Sequence, residues 1–365
     1  MIVVAKVGTS SITDEHGVID QTAIAKLCRE LAGLREAGSQ VVLVTSGAIA
    51  AGLPELGLSA TNRPADSRTL QAVSAVGQTR LMRVYNDVLE REHGLVGGQV
   101  LLAPLDFMVR QQYLHARSTL SRLLDLGVLP IVNENDAIAD DEIRFGDNDR
   151  IAALVAHLVG ADILVLLTDT AGLHTADPGI DESASLIEEI VELDKELDEL
   201  AGGSRTPRGS GGMATKVAAA RIAAWSGVRT VIAAADREHV LRDAVAGQPG
   251  VGTVVHPRDR RLPARKLWIA FAIGSKGSII VDRGARRALV EQGRSLLAAG
   301  VVGVEGEFEA DDAVEVVDPT GEVFAKGLAR VDSGGLVRMA GRRSDELGDD
   351  VSAEVIHRDD LVVLS

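Results

Sequence analysis

Ile2-Val3-Val4-Ala5-Lys6-Val7-Gly8-Thr9-Ser10 begins with an aliphatic run broken only by Lys6, then drops into a glycine and two small hydroxyl residues. Apolar residues at successive rather than alternate positions mark a strand buried on both faces, as in parallel sheets covered by helices. The same form recurs at 41–45, 99–102, 128–132, 163–168 and 230–234. Between these runs lie stretches with helical periodicity at 21–37, 67–93, 110–125, 149–159 and 214–225. In the first of them Asp20 is placed to cap, Ile24, Leu27, Leu31 and Leu34 share a face, and Gly38 ends the helix. Strands alternating with helices require crossover connections. The predicted fold class is therefore α/β, a mostly parallel open sheet sandwiched by helices, over residues 1–256.

The character changes after that. Residues 257–266 read PRDRRLPARK, with two prolines and five Lys or Arg, and residues 257–275 are expected to form a linker. From 276 to 365 short β-like runs take over, at 278–281, 301–304, 313–317, 323–328 and 351–356. Turns at Asp318-Pro319-Thr320-Gly321 and Ser333-Gly334-Gly335 separate them, and one helix is expected at 285–299. The prediction is a small, β-rich C-terminal domain.

Composition narrows the function classes. The chain has 365 residues with 38 Lys plus Arg against 53 Asp plus Glu, a net charge of −15. A polyanion binder normally carries the opposite sign, so any phosphate must be met by a few placed cations and backbone N–H groups. Aromatic residues are only 2%, too few for a base-stacking platform. With one cysteine, Cys28, neither an intramolecular disulfide nor a thiolate metal cluster can form. The opening MIVVAKVGTSS lacks a basic region followed by a long apolar run, and no stretch is apolar enough to span a bilayer. The expectation is a cytoplasmic protein with no membrane partner.

In open sheets of this kind, ligands gather beyond the carboxyl ends of the strands. The segments there are Gly8-Thr9-Ser10, Thr45-Ser46-Gly47-Ala48, Asn133-Glu134-Asn135-Asp136 and Thr168-Asp169, all small or polar. Lys6 stands near such an end, and a lysine in a buried strand needs a partner. It is either an edge cation turned to water or a cation facing a phosphate. Gly209-Ser210-Gly211-Gly212-Met213-Ala214-Thr215-Lys216 leads into a helix. Its glycines let backbone N–H groups approach an anion, and Lys216 lies in the helix's first turn. The spacing is not that of a Walker loop, and no strand precedes it as a dinucleotide fingerprint would need. A solvated surface loop is the plain alternative.

The 133–136 and 145–149 segments crowd carboxylates and amides into 17 residues. Metal ligation, general-base work and holding an ammonium group all fit such a cluster. Asp140, Asp141 and Glu142 are expected to be solvated, and Asp147 or Asp149 could cap the helix that follows. Asp136 and Asn148 are assigned to substrate, and an aspartate near 149 could hold the two lysines. Ser46 lacks the flanking glycines of a nucleophile elbow and is expected to be a hydrogen-bonding substrate ligand.

Together these segments resemble the glutamate 5-kinase branch of the amino-acid kinase family. The resemblance is carried by AKVGTS at 5–10, VTSGAIAAG at 44–52, AVGQTRLM at 75–82, PIVNENDAI at 130–138, FGDND at 145–149, LLTDTAGLHTADP at 166–178 and GGMATK at 211–216. Residues 276–365 resemble a PUA domain. The likeness implies transfer of phosphate from ATP, with Mg2+, to the γ-carboxylate of L-glutamate, the first step of proline biosynthesis. It implies that Lys6 and Lys216 contact the transferring group and that Asp149 positions them. Ser46, Asp136 and Asn148 would bind glutamate. Lys6, Thr168, Asp169, Ser210, Gly211, Gly212, Met213, Ala214, Thr215 and Lys216 would line the nucleotide. Metal ligands are not assigned. Proline as a feedback inhibitor and a homo-oligomer are further implications. RNA, the usual partner of PUA domains, fits poorly, since residues 276–365 hold 11 Lys or Arg against 18 Asp or Glu, a net of −7.

Overall fold

The structure is a computed structural model that describes residues 1–103, 106–107, 109–138, 148–176, 184–191, 212–258, 261–347 and 352–364. Contacts divide the chain into two units, Met1–Arg261 and Leu262–Ser365.

The first unit is built on eight strands: β1 (Ile2–Val7), β2 (Gln40–Thr45), β3 (Gly97–Leu102), β4 (Leu129–Glu134), β5 (Ile163–Thr168), β6 (Glu189–Ile190), β7 (Arg229–Ala234) and β8 (Thr253–Val255). They lie in the order β3-β4-β2-β1-β5-β7-β8-β6, and every pairing is parallel except β7 with β8. The carboxyl ends of β1, β2, β4 and β5 therefore share one edge. The chain runs outward from β1 through β2 to β3 at the edge, inserts β4 between them, then returns to place β5 on the other side of β1. That reversal of direction is where such sheets bind ligands.

One face of the sheet carries Val3, Ala5 and Val7 into the main core. There they meet residues of α1 (Gln21–Glu36) such as Ile24 and Leu31, and Leu81 and Tyr85 of α3 (Ser67–His93). The cap expected at Asp20 is formed, its carboxylate accepting from the N–H of Thr22 at 2.8 Å and of Ala23 at 3.3 Å. Because strand side chains alternate, Val4 and Lys6 face the other side. That side is covered by α5 (Asn148–Val159), which packs against both β1 and α6 (Met213–Trp225). Among the described residues this unit also has the helices α2 (Ala48–Gly52), α4 (Arg110–Asp125) and α7 (Val240–Ala246).

Helices α2 and α3 cross without room for a side chain. A Cβ on Gly77 would lie 1.7 Å from the carbonyl oxygen of Ala48. Ala48 begins α2 directly after the Ser46-Gly47 turn, in which Gly47 has φ +97°. Gly77→Ala is expected to force the two helices apart and lower Tm by on the order of 5 °C, the usual cost of overpacking. A thermal melt checks it; an unchanged melting curve would mean the crossing is not rigid.

The second unit holds a five-stranded sheet in the order β11-β9-β12-β13-β15. These are β9 (Gly277–Val281), β11 (Val301–Gly306), β12 (Ala313–Val317), β13 (Val323–Leu328) and β15 (Leu361–Val363). A separate pair joins β10 (Leu296–Leu297) to β14 (Glu354–Ile356). Four expectations are corrected here. The helix expected at 285–299 is Arg283–Gln292, because Gly293 caps it at φ 59° and Leu296 enters a strand. Ser333-Gly334-Gly335 is not a turn but the start of a helix, Ser333–Met339, since the Asp332 carboxylate accepts from the N–H of Gly335 at 2.7 Å. Of the strand expected at 351–356, residue 351 lies outside the described residues, and within 352–356 the strand covers Glu354–Ile356. Part of the expected linker is helical, over Ala264–Leu267 and Trp268–Ala272, and buries Leu267 and Ile269 within this unit.

Candidate active site

Lys6, on β1, pairs across the sheet with Val44 of β2 and Leu166 of β5, so it occupies the middle of the sheet next to the reversal point. The residue is 4% exposed and its Nζ lies 2.5 Å from Oδ1 of Asp149. Asp149, in the first turn of α5, is 0% exposed. Its second oxygen, Oδ2, lies 3.3 Å from Nζ of Lys216, which is 6% exposed and comes from the first turn of α6. Thr215 donates its hydroxyl to the same Oδ2 at 2.8 Å. One buried carboxylate thus holds an ammonium group on each oxygen. Burial pushes the Asp149 carboxyl up, but the charges of Lys6 and Lys216, with hydrogen bonds from Lys6 and Thr215, outweigh it and hold it at about 2. Two ammonium groups and one carboxylate give the trio a formal net charge of +1.

At the end of β2, Ser46 is tied to β1 by its N–H, which donates to the carbonyl of Val7 at 3.2 Å. Its Oγ accepts from Nδ2 of Asn148 at 2.9 Å. The same Nδ2 donates to Oδ1 of Asn133, at the end of β4, at 3.1 Å. Asn148 precedes Asp149 in α5, so consecutive residues serve this amide cluster and the lysine pair. Asp136 lies three residues past Asn133 and accepts from the Ser74 hydroxyl of α3 at 2.7 Å. Burial raises its carboxyl above the ordinary range, countered by the Ser74 hydrogen bond and the charge of Arg63.

On the other side of β1, β5 ends in Thr168, whose hydroxyl donates to Asp169 at 3.1 Å. Gly212 is the N-cap of α6, with no side chain capping the helix, and Met213, Ala214 and Thr215 form its first turn. Ser210 and Gly211 lie outside the described residues, as do Asp140, Asp141, Glu142 and Asp147.

Sheet order explains the grouping. The described ones among the predicted site residues form an amide and carboxylate cluster from β2 and β4, the lysine pair on Asp149 over β1, and Thr168 with Asp169 at the end of β5. Sequence reasoning missed Ser74 and Gln78, both on α3. Gln78 is 8% exposed and donates from Nε2 to the carbonyl of Glu134 at 3.3 Å. A polar residue turned inward on a helix as long as α3 has no local signature; its partner lies 56 positions away. Among the described residues no group of three or more His, Cys, Asp or Glu is placed to hold a metal ion. No helix among them is long and apolar enough to cross a membrane.

Comparison with known proteins identifies the family of both units. The amino acid kinase family model matches residues 1–234 and the PUA domain model matches residues 277–349. The chain is 45% identical to the glutamate 5-kinase of Pelobacter propionicus over 99% of its own length and 97% of the relative's. It is 46% identical to the glutamate 5-kinase of Thermobifida fusca over 99% of its length and 93% of the relative's.

Proposed function

The chain belongs to the amino acid kinase family, in its glutamate 5-kinase branch, and on that premise we propose how its residues carry the reaction. The reaction moves the γ-phosphoryl group of ATP to the γ-carboxylate of L-glutamate, giving the acyl phosphate L-glutamyl 5-phosphate for proline biosynthesis. The observation that carries the residue assignment is the lysine pair on one buried aspartate. It lies beside the strand where the sheet reverses, with different polar groups on either side.

The γ-carboxylate of glutamate is ionised near neutral pH, so the acceptor needs no base to remove a proton. What remains for the protein is alignment and charge. Lys6 and Lys216 meet the phosphoryl oxygens as negative charge redistributes during transfer. At about 4 Å and an effective dielectric of about 20, each such contact is on the order of 4 kcal/mol. Asp149 keeps both ammonium groups at a common point and leaves the trio one positive charge for the migrating group.

Glutamate lies on the β2 and β4 side, with Ser46 and Asn148 as hydrogen-bonding ligands and Asp136 opposite the α-ammonium. ATP lies on the β5 side, near Thr168 and Asp169, with its phosphates toward residues 210–216. There the uncapped N–H groups of α6 and the helix dipole favour an anion. Mg2+ would be carried by the nucleotide and would supply charge neutralisation at its phosphates. That fits the donor set, since Asp149 is already occupied by two lysines and the described residues offer no acidic cluster for a resident ion. Inhibition by proline and a homo-oligomeric assembly are proposed on the same kinship.

Hydroxylamine trapping tests the function directly, because it captures acyl phosphates. Hydroxamate should form with ATP and glutamate, and far less with aspartate or N-acetylglutamate. Absence of glutamate-dependent hydroxamate would refute the reading.

Asp136 must be ionised to attract an ammonium group, and burial raises its carboxyl. As pH falls, it therefore takes up its proton earlier than a free aspartate would. The glutamate KM is expected to rise on acidification in that range, with the ATP KM steady. Asp136→Asn should raise the KM at neutral pH by about tenfold or more, the loss of one charge-assisted contact, and flatten this pH dependence. A profile identical to that of the unaltered protein would remove Asp136 from the pocket.

A further inference from the structure

The amides behind the glutamate pocket form a chain whose direction the backbone dictates. A peptide N–H can only donate and a peptide carbonyl can only accept, and Glu134 uses both. Its N–H donates to Oδ1 of Asn133 at 2.9 Å, and its carbonyl accepts from Nε2 of Gln78 at 3.3 Å. The oxygen of Asn133 and the nitrogen of Gln78 are thereby fixed. The other end of Gln78, Oε1, accepts from Nδ2 of Asn133 at 3.3 Å and from Nε2 of Gln99 at 3.1 Å. Asn133 Oδ1 also accepts from Asn148, which spends one hydrogen of Nδ2 there and the other on Ser46.

Two consequences follow at the pocket. Asn148 has no hydrogen left on its amide nitrogen, and its Oδ1 is shielded from solvent without a hydrogen-bond partner among the described residues. A shielded acceptor of this kind is costly unless a ligand donates to it. Ser46 Oγ, already accepting from Asn148, is free to turn its own hydrogen outward. The pocket therefore presents an acceptor next to a donor, the pattern that an ammonium group and a neighbouring carboxylate complete.

We propose that Gln78 is a positioning residue: through Asn133 it holds Asn148 with its oxygen toward the substrate, so the site selects dicarboxylates bearing a free α-ammonium. Gln78 touches no substrate. This rests on the glutamate kinase reading above.

Glutarate, which is glutamate without its α-ammonium, is the probe. The unaltered protein should favour glutamate over glutarate in kcat/KM by at least about 10²-fold, since a site built to receive an N–H group rejects the analogue lacking it. Gln78→Met should cut that ratio about tenfold or more by raising the glutamate KM. Its kcat at saturation and its ATP KM should stay within about threefold, the split expected when binding is lost equally in the ground and transition states. Gln78→Leu, which likewise offers no acceptor to Nδ2 of Asn133, severs the same link if the first variant melts prematurely. Combining either with Asn148→Ala should cost no further discrimination, because both changes act on one contact. Unchanged discrimination in the folded Gln78 variants, equal losses with glutamate and glutarate, or multiplying losses in the double variant would overturn the proposal. If the unaltered protein forms no glutamyl hydroxamate, the kinase reading itself fails.

Discussion

Asp149→Asn is expected to abolish most turnover and to destabilise the protein together. The asparagine keeps the shape of the side chain but removes the charge between Lys6 and Lys216, both almost fully buried. Two ammonium groups then share a low-dielectric space with nothing to neutralise them. Breaking a buried ion pair by removing one partner costs about 3–5 kcal/mol. For a domain of this size that lowers Tm by on the order of 10 °C. Turnover should fall by about 10³-fold, because neither cation is held where charge develops. The same group makes an acid-stability prediction. Its carboxyl is held at about 2, below the ordinary 3.8, so its contribution is fully present above about pH 4 and is lost as pH falls toward 2. Melting curves between pH 2 and 5 should show that slope in the parent protein and a shallower one in Asp149→Asn. A variant with parent-like kcat and Tm would mean the carboxylate holds nothing together.

Lys216→Ala is expected to lower kcat by about 10²-fold or more while changing the glutamate KM only modestly. The reason is where the contact tightens. An ammonium group next to a migrating phosphoryl gains most as negative charge spreads over the transferring oxygens, so its removal is felt in the transition state. Stability suffers less than in Asp149→Asn, since Asp149 retains Lys6 at 2.5 Å and the Thr215 hydroxyl at 2.8 Å. Lys216→Arg should not restore the rate, because a planar fork does not fill the position of a compact point charge. Steady-state kinetics with ATP and glutamate varied separately check both statements. An intact kcat in Lys216→Ala would place the phosphate elsewhere.

The parallel sheet was legible because its signals are local and redundant. Uninterrupted aliphatic runs, the Asp20 cap and glycine stops each bound one element, and strand ends alone pointed to Lys6, Ser46, Asp136 and Thr168. Lys6 stood out for a physical reason: a charge inside a buried run demands a partner. The partner was less legible, since Asp147 and Asp149 are equivalent in sequence. Only the approach of α5 to β1 and α6 singles out Asp149. The short strands β6 and β8, two and three residues long, are too short to show periodicity. In the second unit, glycines were read as turn residues at 333–335, where Asp332 instead uses a glycine N–H to start a helix. Gln78 was hidden for the opposite reason. Its polarity matched a solvated helical face, and only long-range pairing with the Glu134 backbone brings it inside.

The first turn of α5 has one more consequence. Asn148 reaches the amide cluster and Asp149 the two lysines, separated by a single peptide bond. Neither side chain can shift along the helix without dragging its neighbour. On the proposed placement of the substrates, a shift of one side chain on binding would move the other, and by linkage any such influence would run equally in both directions. Acceptor and donor substrates bound together would tension the same short lever from opposite ends.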